Sequence, residues 1–121
     1  GTCACVSVPA RRREPIVSSA DEPLYLLAII KPKLEFADRA LVELRALMAG
    51  TRREPGNEYM DLVVSDSDPD TWIMFEKFRS LRDWNEHMRT KHVQAGNAAL
   101  ADLLREPTEL QFYTPLPEAR T

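Results

Sequence analysis

His87 and His92 are the two histidines of this 121-residue chain. Histidine is the side chain whose ordinary pKa lies near neutrality, which makes it the natural general base. On a helix turning ~100° per residue, Leu81, Trp84 and Met88 share one apolar face, and His87 lies on its flank. An unbroken helix brings His92 near the centre of that face. A new helix capped by Thr90 turns it elsewhere. A histidine in such a place serves as a base or as a buried, hydrogen-bonded residue, so His87 and His92 are the candidate catalytic pair. Trp84, Phe75, Phe78, Met60 and Trp72 are the candidate substrate contacts, with plain core packing as the alternative. Glu76 shares a strand face with Trp72, Met74 and Phe78. A carboxylate placed there is expected to find an internal hydrogen bond or ion pair. Tyr25, Tyr59 and Tyr113 could each donate to a substrate oxygen, and nothing in the sequence chooses among them.

Other chemistries lack their residues. GxGxxG, HExxH and GxxxxGK[ST] are all absent, and there is no nucleophile elbow. No metal site is expected, because Cys3 and Cys5 have no further ligands nearby and are too close together for an ordinary disulfide. The net charge of −3 offers nothing to nucleic acid, and Arg11, Arg12 and Arg13 are too few for a binding tail. No apolar run approaches the ~20 residues that span a bilayer. The start of the chain lacks the apolar stretch of a secretory signal, and a cytoplasmic location is expected.

The elements that must hold these residues follow from periodicity. Residues 1–22 have no sustained period and read as an N-terminal extension, flexible or packed on a neighbour. The domain is expected over 23–117, with 118–121 as a tail. Leu24 to Lys31, LYLLAIIK, is apolar on both sides, as in a strand covered on both faces. Leu34 to Arg53 has helical spacing, stopped by Glu54-Pro55-Gly56. Asn57 to Ser65 and Thr71 to Arg79 alternate as strands around the turn DSDPD and should form a hairpin. Ser80 is a good N-cap for helical structure continuing to about Leu104, and Thr108 to Leu116 gives a last strand. The order β-α-β-β-α-β is the ferredoxin-like pattern: an α+β domain with an antiparallel four-stranded sheet and helices on one face. Its other face would be bare and apolar, which a second copy packed sheet to sheet would cover.

The ordered series of stretches resembles the antibiotic biosynthesis monooxygenase (ABM) domain family over about Pro23 to Leu116. The resemblance lies in the apolar first strand, the long helix ending in RREPG (Arg52 to Gly56), the hairpin MDLVVSDSDPDTWIMFEKF with Glu76 late in its third strand, and SLRDWNEHMRTKH (Ser80 to His92) with its two histidines. The chain departs where the family often has an aromatic residue, here Met60, and where it often has Trp, here Phe78. The resemblance implies a dimeric α+β barrel and a monooxygenase that needs no cofactor. Such an enzyme oxidises a small aromatic compound, a quinol, phenol or anthrone, with O₂. The partners implied are a second copy of the chain, the substrate and O₂, with no nucleic acid and no membrane. A haem-degrading relative would need Asn, Trp and His where this chain has Leu27, Phe78 and Asn97. The alternatives are a non-enzymatic dimeric module for binding or stress, and an isomerase of a small metabolite.

Overall fold

The computed structural model describes residues 21–119. Cys3, Cys5, the arginine run and nearly all of the expected N-terminal extension lie outside them. Strand β1 (Leu24–Ile30) alternates strictly: Leu24, Leu26, Ala28 and Ile30 are buried, and Tyr25, Leu27 and Ile29 are half-buried. A 3-10 turn (Leu34–Phe36) leads into helix α1 (Ala37–Arg52). Strands β2 (Asn57–Val64) and β3 (Trp72–Phe78) form the expected hairpin. Helices α2 (Leu81–Met88) and α3 (Lys91–Leu100) precede β4 (Glu109–Tyr113), and Pro117–Ala119 close the described chain as a second 3-10 turn.

All strand pairs are antiparallel, in the order β2-β3-β1-β4. This is the α+β ferredoxin-like fold that the sequence pattern predicts. Because side chains alternate along a strand, one face of the sheet carries Leu26, Ala28, Ile30, Met60, Met74 and Phe78 beneath the helices. Ala40, Leu44 and Met48 of α1 and Leu100 of α3 complete the main core. The opposite face carries Tyr25, Leu27 and Ile29 with Ile73 and Phe75, and no described element covers it. On this face Tyr59, Val63, Phe75 and Tyr113 are 39% to 42% exposed.

The long helical stretch expected after Ser80 is two helices. Thr90 is extended and caps α3: its Oγ1 accepts from the Val93 N–H and donates to the His87 carbonyl at 2.7 Å. The side chain thus ends one helix while starting the next. Ser80 caps α2 in the same way, accepting from the Asp83 N–H at 3.0 Å. The break at Thr90 decides where His92 points.

Candidate functional site

Three segments converge on one end of the sheet. Glu54 stands in the turn between α1 and β2, where Pro55 disfavours further helix. Its backbone is held on both sides: its N–H reaches the Thr51 carbonyl, and its carbonyl takes the Asn57 N–H. The side chain rises between α2 and α3. Both Glu54 carboxylate oxygens lie within reach of His87 Nδ1, at 3.0 and 3.1 Å, and one of them also bonds His92 Nε2. His92 reaches this point because α1 presents Gly50 beneath it. A β-carbon on Gly50 would stand 2.6 Å from the His92 ring.

A carboxylate offers only lone pairs, so both rings donate to Glu54. For a neutral His87 this fixes the tautomer: the proton is on Nδ1 and the lone pair on Nε2. That nitrogen has no hydrogen-bond partner among the described residues. His87 is 5% exposed, with its ring 4.8 Å from that of Phe78. Burial pushes its pKa below the ordinary 6.5 and outweighs the opposing pull of Glu54. The ring is therefore neutral at pH 7. A carboxylate that orients a neutral imidazole through Nδ1 is the arrangement that readies Nε2 to accept a proton.

His87 borders a cavity of about 690 Å³ between the sheet and the helices. Leu26, Met60 and Met74 floor it and Trp84 stands at its side, edge-on to Phe112 with ring centroids 5.2 Å apart. Glu76 is also on the floor, with its side chain pointing to the same face as Met74 and Phe78. It is 7% exposed and has no hydrogen bond or ion pair among the described residues. Burial, reinforced by the negative charge of Glu54, raises its pKa from 4.5 to about 8. The internal partner expected for it from the sequence is missing among the described residues.

Glu54, His87 and His92 bring one ligand atom each to within 4.8 Å of one another, a set that could hold a metal ion. His87 Nδ1 and His92 Nε2 are already engaged with the Glu54 carboxylate. A cation would have to displace the Nδ1 proton that fixes His87.

The model of a family described as antibiotic biosynthesis monooxygenase matches residues 23–99. The chain belongs to this family. Over 87 residues, 72% of this chain and 92% of the relative, it is 31% identical to a Bacillus subtilis protein named "Putative monooxygenase YcnE". The solved structure of Rv0793 from Mycobacterium tuberculosis superimposes with a TM-score of 0.75 at 28% identity, covering 81% of this chain and 99% of that one. PA3566 from Pseudomonas aeruginosa gives 0.72 at 27%, covering 82% and 99%.

Within this ABM domain, the residues singled out by sequence occupy different places. His87, Trp84 and Met60 border the cavity. His92 stands behind Glu54, a step away from it. Phe78 is fully buried beneath His87, and Trp72 packs on the main core, so both support the site without bordering the cavity. Phe75, a candidate substrate contact from the sequence, does not border this cavity. It lies one residue from Glu76, so the pleat turns it to the open face, where it is 41% exposed. Sequence reasoning missed Glu54 as a site residue, taking Glu54-Pro55-Gly56 as a turn alone. Pairing a carboxylate with histidines more than thirty positions on needs the fold.

Proposed function

We propose that the protein is a cofactor-independent monooxygenase of a small aromatic quinol, phenol or anthrone, with His87 as its base. The observation that carries this reading is the Glu54–His87 pair, held through Nδ1, with His87 bordering an apolar cavity of about 690 Å³. A hydroxyl or enolisable proton passes to Nε2, and Glu54 stabilises the imidazolium that forms. The electron-rich organic anion then reduces O₂. One oxygen atom enters the substrate, as when an anthrone CH₂ becomes a carbonyl, and the other leaves as water. All four electrons come from the substrate, so no external reductant is needed. Apolar walls of Leu26, Met60, Met74 and Trp84 suit a flat aromatic ring.

The test is oxygen uptake with a panel of hydroquinones and anthrones, comparing wild type with His87→Gln. Losing a general base typically costs ~10²–10⁴-fold in turnover. Full turnover in His87→Gln removes His87 from the role. Conversion of a substrate without oxygen uptake points to an isomerase on the same residues.

The reading includes a homodimer. The uncovered face of the sheet is apolar at its centre, through Leu27, Ile29, Ile73 and Phe75, and a second copy turned about a two-fold axis would bury it.

A further inference from the structure

Glu76 is the group that the base chemistry leaves unused. Burying a carboxyl without a partner is costly, and native proteins seldom leave such a group unexplained. Its register neighbours are Leu26 on β1 and Met60 on β2, each 2% exposed, which offer it nothing polar. The titratable group whose charge reaches it is Glu54 from the α1–β2 turn; His87 of α2 borders the same cavity, and His92 of α3 bonds the Glu54 carboxylate. Arg105 and Glu106 border the cavity at the opposite end of the strands, and Arg105 Nη1 donates to the Pro32 and Asp70 carbonyls there. Among the described residues, then, no cation pairs with Glu76. Nor are its oxygens sealed in. Among the described residues the sealed, unpartnered side-chain polar atom is Thr51 Oγ1. The free space beside the Glu76 oxygens is the cavity.

We propose that Glu76 is a substrate-binding residue: its carboxyl keeps its proton and donates a hydrogen bond to an oxygen of the aromatic ligand in the cavity. This rests on the reading of the cavity as an aromatic site and narrows the ligand class. The preferred compound carries a carbonyl or hydroxyl oxygen, and it is neutral or becomes an anion. A hydrocarbon of the same shape leaves the carboxyl without a partner. An oxyanion gains from a neutral donor what it would lose against a carboxylate. The raised pKa of about 8 agrees with a carboxyl that stays protonated at pH 7. His87 and Glu76 then divide the work, one taking a proton and the other holding an oxygen.

The experiment uses 1-naphthol, naphthalene and 1-naphthylmethylamine as probes, titrated calorimetrically at pH 7. The proteins are wild type, Glu76→Gln and Glu76→Met, with Glu76→Leu in place of Met should that variant not fold. One hydrogen bond is worth about tenfold in affinity. Wild type should prefer 1-naphthol to naphthalene by about that factor. Glu76→Gln, whose amide still donates, should keep most of the preference, and Glu76→Met should lose it. Infrared spectroscopy of the ligand-free protein should show a protonated carboxyl band at pH 7, absent from both variants. A naphthol preference that survives Glu76→Met, a missing band, or tighter binding of the ammonium probe overturns the role of Glu76 while the cavity remains an aromatic site. If none of the probes binds, the reading of the cavity itself fails, and the role of Glu76 with it.

Discussion

A carboxyl kept protonated in the folded state carries a stability cost that can be measured without any substrate. Glu76 has its pKa raised from 4.5 to about 8. Below pH 4.5 the group is protonated in both folded and unfolded chains and exacts no penalty. As pH rises above 4.5, the unfolded chain releases the proton and the folded chain does not. Stability therefore falls by about 1.4 kcal/mol per pH unit until the folded pKa is passed. The accumulated loss is roughly 3 kcal/mol at pH 7 and roughly 5 kcal/mol above pH 8. Glu76→Gln cannot ionise, so it removes this slope and keeps the shape. His87 acts in the other direction, because its lowered pKa reduces stability as pH falls below about 6.5. That contribution is common to both proteins and cancels in the difference between them. Urea unfolding of wild type and Glu76→Gln at one protein concentration, from pH 5 to pH 8.5, should show the variant gaining by roughly 3–4 kcal/mol across the series. The variant would be the more stable protein at pH 8. A difference that stays flat with pH would mean that Glu76 ionises normally in the folded protein, and would refute the reasoning from its burial and its lack of a partner.

Two other expectations follow from the geometry. Glu54→Gln leaves a single acceptor oxygen for two rings that both donate, so one ring must turn over or present a bare nitrogen; turnover should fall at least ~10²-fold, and a variant with unchanged turnover would detach Glu54 from the base. On the open face, Phe75→Glu should convert the dimer to a folded monomer in sedimentation experiments, and a wild type that sediments as a monomer would refute the proposed pairing.

The fold was legible because its signals are local and repeated. The alternation in β1, the turn DSDPD between β2 and β3, and the proline and glycine after Glu54 each dictate structure within a few residues. Combining them in order leaves few topologies. The site was legible only in part. Trp84 and His87 share a helix whose face can be drawn from spacing alone, and both reach the cavity. His92 could not be settled in this way, since its direction depends on whether Thr90 continues a helix or caps one. A threonine is an ordinary candidate for either. The structure resolves the choice through two hydrogen bonds of one hydroxyl, to the Val93 N–H and the His87 carbonyl.

Glu54 and Glu76 mark the limit more sharply, because each was read by the rule that usually holds. A glutamate before Pro-Gly belongs to a turn, and Glu54 does sit in one; its carboxylate nevertheless serves side chains on two helices that sequence spacing cannot relate to it. A glutamate on an inward strand face should be paired, and among the described residues Glu76 has no partner. The physical consequence of the second exception is reinforced by the first. Glu54 supplies the negative charge that orients His87 and also helps keep the proton on Glu76. Burial keeps both the imidazole and the carboxyl neutral on the border of the same cavity, while Glu54 orients the first and reinforces the second, an acceptor and a donor with no net charge between them. In the proposed function, such a pair selects for a ligand that brings both a proton to give and an oxygen to be held.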